Sequence, residues 1–352
     1  MIKKINKYNP FIIGITGSCG KTSIKNYIYE ILKDYQITIK SPKSYNTLNG
    51  LMITINNNLK SYNNILILEM GAAYKNDIKK IVKHIKPNIS IISEILPQHL
   101  QTFKNINNIT NEKMQIVQNT KQTIICNMDN DIIKNNIDSY NIYNKEIITI
   151  GTNKNNKYYA KNIKIFKDKC EFELVDNEIN KTFIINSKLI GRHNIYNLLI
   201  TYACLRKLNI NSLDIINKFE LINNHESRLE VKCYNDLTIL NDSYNSNING
   251  FINALEILSL YDGKKCIITP GIVEAGKQIE NINKKIAFKI AKTVDFCYLI
   301  DNKNTKFLVK EFKNLNFNNY CVKKSFNNAF NEIKNDTLTV LIENDLTDFY
   351  LL

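Results

Sequence analysis

Arginine is scarce in this 352-residue chain, and only three of its 47 lysine and arginine residues are arginine. Lysine supplies plain positive charge, whereas the planar guanidinium makes bidentate and stacking contacts. Arg192 and Arg228 lie in motif-like stretches and are candidates for such contacts, whereas Arg206, near a predicted helix end, is expected to be solvated. The net charge of +14 comes from scattered basic residues. We therefore expect no nucleic acid among the partners.

The chain also lacks paired cysteines and long apolar runs. Its eight cysteines include no C-x-x-C pair, and several lie in strand-like apolar stretches, where cysteine behaves as a small hydrophobic residue. This usage argues against a disulfide framework or a zinc site and predicts a reducing, cytoplasmic location. No run of about 18 uncharged apolar residues occurs, so we expect no membrane span.

A third absence is a glycine at position 15. The stretch GITGSCGKTS, residues 14–23, has glycines at 14, 17 and 20, whereas the common phosphate-binding loop, G-x-x-x-x-G-K-[ST], requires one at 15. The stretch still follows the apolar run 11–16 and precedes a helix predicted over about 21–33. In that context backbone N–H groups and a helix N-terminus hold phosphate oxygens.

Two side chains of this loop predict the chemistry that it supports. Lys21 would neutralise the terminal phosphates of a nucleotide, and the hydroxyl of Thr22 would be offered to Mg²⁺, with Ser23 beside it. The interpretation as a phosphate-binding loop therefore depends on the Lys-Thr pair rather than on the glycine spacing.

Apolar runs predict an α/β fold in two parts. Continuous Ile- and Leu-rich runs at 11–16, 65–70, 89–93 and 122–127 indicate parallel strands covered on both faces. Alternating runs between about 145 and 188 predict a small antiparallel sheet. A second α/β series begins after about 220, and 217–227 is the expected hinge. The length also fits two domains, which we place at 1–222 and 223–352.

Two polar side chains follow strands of the first predicted sheet. Glu69 ends the run 65–69, and His99 lies in the loop after 89–93. A carboxylate at the carboxyl edge of a parallel sheet suits a Mg²⁺ ligand or a group that orients water. Taken singly, Glu69 can be a chance strand end and His99 a structural histidine; their shared edge favours a metal site. Lys113 lies in the next predicted helix.

Taken in order, these motifs resemble those of the Mur ligase superfamily. The matching segments are GITGSCGKTS, NTLNGL (46–51), LEMGA (68–72), QHLQTF followed by NEK, GRHNIYNLLITYA (191–203), SRLEV and NDSYNSN (241–247). TPGIVEAG (269–276) and IENDLTDFY (342–350) resemble a subgroup of its MurF-like branch, the muramoyl-tripeptide–D-alanyl-D-alanine ligases. The resemblance covers nearly the whole chain and implies a P-loop ATPase domain followed by a Rossmann-like domain.

The resemblance also implies roles for individual residues. The implied catalytic residues are Lys21, His99, Lys113 and Arg228. The implied nucleotide-binding residues are Gly17, Ser18, Cys19, Gly20, Lys21, Thr22, Ser23, His193, Asn194, Asn197, Arg228, Asp242, Tyr244, Asn245 and Asn247. The implied metal ligands are Thr22, Glu69, His99 and, if carbamylated, Lys113. ATP and Mg²⁺ are the expected cofactors.

The implied reaction is ATP-driven amide formation through an acyl phosphate, and three interpretations of it stay open. The chain adds D-Ala-D-Ala or another amino acid or dipeptide to a peptidoglycan-precursor carboxylate. Alternatively, it acts on a non-wall acid such as a folate-like or polyamide substrate. In the third interpretation it is a regulatory ATPase that has lost ligase function.

Two departures from the family pattern bear on the substrate. Ile248 stands where members usually have proline after the last asparagine of Y-N-x-N, which should loosen that loop. The phosphate loop is reached within the first fifteen residues, so we expect the N-terminal domain that binds a uridine-diphosphate substrate to be absent. Either a separate protein supplies that surface or the acid is smaller.

Overall fold

The computed structural model describes residues 1–140, 142–223, 229–234, 237–243, 247–273, 275–333 and 338–344. Its strands are β1 (Phe11–Thr16), β2 (Thr38–Lys40), β3 (Ile65–Glu69), β4 (Ile89–Ile92), β5 (Thr123–Asn127), β6 (Glu146–Gly151), β7 (Tyr158–Ile165), β8 (Cys170–Asp176), β9 (Lys181–Ser187), β10 (Glu230–Tyr234), β11 (Leu237–Asp242), β12 (Lys264–Thr269), β13 (Phe296–Ile300), β14 (Tyr320–Lys323) and β15 (Leu338–Glu343). Its helices are α1 (Ile2–Tyr8), α2 (Lys21–Leu32), α3 (Leu48–Asn58), α4 (Asp77–His84), α5 (Leu100–Phe103), α6 (Ile106–Lys113), α7 (Gln115–Gln118), α8 (Asp131–Asn136), α9 (Arg192–Lys207), α10 (Ser212–Phe219), α11 (Ile248–Ser259), α12 (Ile279–Thr293), α13 (Thr305–Asn314) and α14 (Phe326–Phe330).

The strands form two sheets, which confirms the α/β prediction. The first has the order β2-β3-β1-β4-β5-β6-β7-β8-β9 and the second β10-β11-β15-β12-β13-β14. In the first sheet β2 to β7 run parallel, and β8 is antiparallel to both β7 and β9. The antiparallel strands extend the parallel sheet instead of forming a separate one. In the second sheet the described pairs are parallel except β10–β11.

Both faces of the first sheet are buried at its central strands β1, β3, β4 and β5, as their continuous apolar runs predict. Ile13 of β1 packs in one cluster with residues of α2 and α9, whereas its neighbour Ile12 packs in another with residues of α3 and α4. Successive side chains of a strand point to opposite faces. Every residue of a strand such as β3 is therefore in the core, and only the strand ends are left for polar chemistry.

The order of the strands positions the site. β1 lies between β3 and β4, and all three run parallel. Their carboxyl ends therefore meet at one edge of the sheet, where ligands bind in α/β folds. The phosphate loop follows β1, Glu69 is the last residue of β3, and the segment that leads to His99 follows β4.

The structure corrects two local expectations. Residues 217–219 of the expected hinge are the end of α10. Arg206 is not solvated: its Nε lies 3.5 Å from Oδ2 of the fully buried Asp176, and its Nη1 donates a hydrogen bond of 3.3 Å to the carbonyl of Ile210. The sequence analysis also did not predict the helix α1.

The domain boundary at 222/223 stays a prediction, because residues 224–228 lie outside the described ranges. All eight cysteines are described and unbridged. Within the described ranges, no helix combines the length and the apolar character needed to cross a bilayer.

Candidate nucleotide site

Two glycines allow the phosphate loop to pass close to other parts of the chain. Gly20, which precedes α2, has φ of 78°, and a Cβ there would lie 2.4 Å from Oδ1 of Asn197. A Cβ on Gly17 would lie 1.9 Å from Oγ of Ser93. Both approaches require the absence of a side chain. Glycines at positions 17 and 20 are thus required by contacts with Ser93, which follows β4, and with Asn197 of α9.

Ser18 fixes the loop to the segment after β4. Its backbone N–H donates to the carbonyl of Glu94 at 2.7 Å. Its Oγ accepts from the N–H of Leu96 at 2.9 Å and donates to the carbonyl of Leu96 at 3.2 Å. Ser18 therefore has a structural role beside its predicted place in the nucleotide site.

Lys21 and Lys113 converge on one carbonyl. Lys21 Nζ donates to the oxygen of Gly17 at 2.8 Å, and Lys113 Nζ donates to the same oxygen at 3.0 Å. Lys113 is only 5% exposed. Burial, and next the charge of Lys21, lower the pKa of Lys113 to about 7. A large share of Lys113 is therefore a neutral amine near neutral pH.

Glu69 accepts hydrogen bonds on both carboxylate oxygens. Thr22 Oγ1 donates to Oε2 at 2.9 Å, and Asn46 Nδ2 donates to Oε1 at 3.1 Å. Lys25 Nζ lies 3.3 Å from Oε2. Burial alone would raise the pKa of Glu69, but the charges of Lys21 and Lys25 and the two hydrogen bonds together lower it. Glu69 is thus held as a buried carboxylate.

Lys25 is a site residue that the sequence analysis missed. Its side chain is 1% exposed, and besides Glu69 it hydrogen-bonds the carbonyl of Lys43, in the loop after β2. Burial lowers the pKa of Lys25, and Glu69 opposes that shift. The available signal was its spacing: residues four apart share a helix face, so Lys25 lies one turn beyond Lys21. In so lysine-rich a chain that signal is weak.

A cavity of about 150 Å³ brings together most of the predicted phosphate and metal residues, but Gly17 and Lys113 are not among the residues that line it. It is lined by Ser18, Cys19, Gly20, Lys21, Thr22, Ser23, Asn46, Glu69, Gln98, His99 and Asn247. His99 has φ of 52°, which is unusual for a residue other than glycine. Such backbone geometry clusters at functional sites. We call this space the phosphate cavity.

A second cavity, of about 300 Å³, adjoins the first along the phosphate loop. It is lined by Cys19, Gly20, Ser23, Tyr27, Glu94, Arg192, His193, Asn194, Tyr196, Asp242, Asn247, Asn249, Gly250, Ile252, Asn253 and Glu256. Burial raises the pKa of Glu94, and hydrogen bonds with Asn249 and Cys19 oppose that shift. We call this space the nucleoside cavity. Of the residues that line it, Tyr27, Glu94, Tyr196, Asn249, Gly250, Ile252, Asn253 and Glu256 were not predicted.

Asn194 and Asn197 form a buried amide pair beside the nucleoside cavity. Oδ1 of Asn194 accepts from Nδ2 of Asn197 and from the hydroxyl of Tyr27, each at 3.1 Å. Asn194 Nδ2 donates to the carbonyl of Ile190 at 2.8 Å. Asn194 lines this cavity, whereas Asn197 lines a small adjoining space of about 40 Å³. The structure thus brings both predicted asparagines to the start of α9.

The strands and helices of the second sheet also reach the site. Asn247 caps α11 and extends Nδ2 to within 3.0 Å of Cys19 Sγ. Asp242, at the end of β11, accepts the backbone N–H of Leu229 at 3.2 Å and lines the nucleoside cavity. Arg228, Tyr244 and Asn245 lie outside the described residues, so their placement stays a prediction.

Comparison with known proteins finds one family model and several ligases of similar sequence. The Mur ligase middle domain matches residues 15–205. The UDP-N-acetylmuramoyl-tripeptide–D-alanyl-D-alanine ligase of Buchnera aphidicola subsp. Baizongia pistaciae is 28% identical over 97% of this chain and 76% of its own length. The ligase of that name from Bacillus subtilis is 25% identical over 78% of this chain and 59% of its own length. This chain thus spans about three quarters of one relative and three fifths of the other.

Solved structures show the same fold. A crystal structure of MurF from Acinetobacter baumannii superposes with a TM-score of 0.85, over 98% of this chain and 76% of that one, at 17% identity. A MurF ligase from Thermotoga maritima in complex with ADP superposes with a TM-score of 0.83, over 98% of this chain and 78% of that one, at 20% identity. The two-sheet arrangement is therefore that of known ligases.

Proposed function

The chain belongs to the Mur ligase family, and from that membership we propose that it joins an amine to a carboxylic acid at the expense of ATP. The observation that carries this proposal is the phosphate loop, which is a common wall of two cavities. Cys19, Gly20 and Ser23 line both. One nucleotide can therefore place its phosphates in the phosphate cavity and its nucleoside in the nucleoside cavity.

The charged side suits the phosphates and their metal. The hydroxyl of Thr22 and the carboxylate of Glu69 are oxygen donors 2.9 Å apart beside Lys21. Mg²⁺ is usually held by one or two protein oxygens, with phosphates and water completing its shell. The described residues contain no group of three His, Cys, Asp or Glu side chains suited to a metal. This small donor set fits Mg²⁺ held largely by the nucleotide, with His99 as a further predicted ligand.

Bound Mg²⁺ would neutralise charge on the phosphates and hold them in line for transfer. Lys21 would stabilise the negative charge on the γ-phosphoryl as a substrate carboxylate oxygen attacks phosphorus and ADP leaves. An amine then attacks the acyl carbon, loses a proton and expels inorganic phosphate. Asp242 and Asn247 would close the site from the second sheet, with Arg228, Tyr244 and Asn245 predicted beside them. Closure would keep water from the acyl phosphate.

Lys113 presents a particular problem at this site, because as a cation it would face Lys21 across one carbonyl. We propose that it is carbamylated: the neutral amine adds to CO₂, forming an N–C bond and releasing a proton. The lowered pKa of about 7 supplies that neutral amine. The product is an anion that would pair with Lys21 and hold a second Mg²⁺ instead of repelling it. Incubation with ¹³C-bicarbonate should give a carbamate NMR signal that Lys113→Met abolishes.

For the substrates we propose D-Ala-D-Ala as the amine and a muramoyl-tripeptide as the acid, in keeping with the names of the relatives. The test is phosphate release from ATP with each co-substrate alone and with both together. Strict dependence on both supports this assignment. Activity only with other acids indicates an amide ligase of another pathway, and hydrolysis indifferent to all acids and amines would refute ligase function. That a separate protein binds the uridine-diphosphate end stays a prediction.

A further inference from the structure

The first turn of α9 is capped by a residue of the second sheet's helix α11. The residue before α9 is Gly191, with φ of 91° and no side chain with which to cap the helix. Oδ1 of Asn253 accepts the backbone N–H of Arg192 at 3.2 Å. A helix start leaves N–H groups without partners in the helix, and side-chain oxygens usually satisfy them. Here that oxygen comes from 61 residues along the chain.

This contact fixes the orientation of the Asn253 amide. A backbone N–H only donates, so the atom of Asn253 that faces Arg192 must be the oxygen. Nδ2 then faces Nδ1 of His193, at 3.1 Å. An amide NH₂ donates only, so Nδ1 of His193 accepts. In the neutral imidazole the proton therefore lies on Nε2.

Gly191 makes this approach sterically feasible. A Cβ at Gly191 would lie 2.7 Å from Nδ2 of Asn253 and 3.0 Å from Nδ1 of His193. Both distances are shorter than ordinary carbon–nitrogen contacts, so a larger residue would separate the two side chains. The glycine of this segment is thus required by the contact between Asn253 and His193 as well as by its own φ.

α11 contacts both ends of the nucleoside cavity. Asn247, at its start, reaches Cys19 of the phosphate loop at 3.0 Å. Asn253 is six residues further, about 9 Å along a helix of 1.5 Å rise per residue. Both residues and His193 line the cavity. Docking of α11 therefore shapes the nucleoside end and the phosphate end together.

We propose that Asn253 is a positioning residue for nucleotide binding. It sets the tautomer of His193 so that Nε2–H donates to a hydrogen-bond acceptor on the nucleoside, and it does so only while α11 is docked against α9. The inference rests on the proposed nucleotide site, but the part that concerns the tautomer of His193 applies to the protein without ligand.

The tautomer is measured directly by long-range ¹H–¹⁵N NMR on the full chain with ¹⁵N-labelled histidine, without nucleotide, at a pH where imidazole is neutral. His193→Gln assigns the signals. We expect the Nε2–H tautomer in the wild type and a shift toward Nδ1–H in Asn253→Asp, because a carboxylate accepts but does not donate. Asn327→Asp, which makes the same charge change on an exposed residue of α14, should leave the tautomer as it is.

Binding of ADP tests the second half. We expect Asn253→Asp and Asn253→Ala to weaken ADP roughly threefold to tenfold, the effect of losing one ordinary hydrogen bond, and Asn327→Asp to bind as the wild type. Circular dichroism and the melting temperature verify that each variant folds. Should Asn253→Ala fail to fold, Asn253→Asp decides through the tautomer, since it keeps the acceptor for Arg192 and replaces the donor to His193 with an acceptor, whereas its ADP affinity also reflects the added negative charge.

Two results would overturn the inference: an Nδ1–H tautomer in the wild type, or a folded Asn253→Asp variant with unchanged tautomer and unchanged ADP affinity. A wild-type chain that keeps the Nε2–H tautomer but fails to bind ADP would instead refute the proposed function, and would leave the positioning contact intact. The two failures are therefore distinguishable.

Discussion

The phosphate cavity and the nucleoside cavity share one loop but are built from different interactions. The phosphate cavity is lined by the charged side chains of Lys21 and Glu69, and Lys25 pairs with Glu69 beside it; all three come from the first sheet and its helices. The nucleoside cavity has charged residues in its lining too, Glu94, Arg192, Asp242 and Glu256. The hydrogen bonds described at its wall, however, join neutral amides, an imidazole and a tyrosine hydroxyl, contributed by both parts of the chain. Removing one member of a buried ion pair leaves the other charge buried without a partner, which is strongly destabilising. A hydrogen bond between neutral groups contributes little net free energy. Substitutions at the charged residues of the phosphate cavity should therefore have larger effects than substitutions at the neutral hydrogen bonds of the nucleoside cavity.

The largest expected effect is on stability, from Lys25→Met. Glu69 would then be buried without its ion-pair partner, and we expect a loss of about 3–5 kcal/mol in the free energy of unfolding. The double variant Lys25→Met/Glu69→Gln should recover much of that loss, because it leaves no unpaired charge. Urea unfolding of the wild type and the variants measures both. A single variant as stable as the wild type would show that Lys25 does not compensate Glu69.

The second effect is on turnover, from Lys21→Ala. Loss of a positioned positive group at the phosphates should lower kcat about 10²- to 10³-fold. Lys33→Ala, at the exposed end of the same helix, is the matched control and should retain activity. Steady-state phosphate release in the presence of both co-substrates gives the comparison. An active Lys21→Ala variant would place the phosphates elsewhere.

The third effect depends on pH and concerns Lys113. Its folded pKa of about 7 lies below its unfolded value, so between these values the unfolded chain binds more protons and stability rises with pH. Lys113→Met lacks this dependence. In CO₂-free buffer the free energy of unfolding of Lys113→Met should exceed that of the wild type most at or below pH 7. This difference should shrink by about 1.4 kcal/mol per pH unit as pH rises.

Unfolding at pH 7, 8 and 9 measures this difference. Lys113→Met should at the same time lose turnover, since it can carry neither a carbamate nor a charge. For Lys113→Ala, short carboxylic acids added to the assay should restore part of the activity. A stability difference that does not change with pH would mean that Lys113 keeps an ordinary pKa in the folded protein.

The smallest effect is expected in the nucleoside cavity, from Tyr27→Phe. Asn194 Oδ1 would lose one donor but keep Asn197, so the net cost is that of one hydrogen bond, about 0.5–1.5 kcal/mol. ADP affinity should fall less than roughly tenfold for that reason. Calorimetric titration with ADP tests this, and a fold-loss in ADP affinity as large as the fold-loss in kcat expected for Lys21→Ala would remove the distinction between the two cavities.

The sequence predicted the parts of the molecule that depend on local pattern. Continuous apolar runs identified β1, β3, β4 and β5, because each of these strands is buried on both faces. Glu69 and His99 line one cavity because the ends of parallel strands meet at one edge, and their role as metal ligands stays a prediction. These inferences need only the period of the side chains and the parallel direction of the strands.

The residues that were missed have partners far along the chain. Lys25 pairs with Glu69, and Asn253 contacts His193 sixty residues away. Arg206 was expected in solvent because its ion pair with Asp176 depends on α9 packing on the first sheet. Nothing in the local sequence distinguishes these side chains from the many lysines and asparagines on the surface. Only tertiary packing reveals them.

The central claim is that ATP bound across both cavities phosphorylates a carboxylate. It is tested most directly by supplying the muramoyl-tripeptide with ¹⁸O in its terminal carboxylate, together with ATP, Mg²⁺ and D-Ala-D-Ala. Mass spectrometry then follows the label. The account predicts one ¹⁸O in the inorganic phosphate for each amide bond formed. Phosphate without label, alongside amide formation, would contradict an acyl phosphate and with it the proposed mechanism.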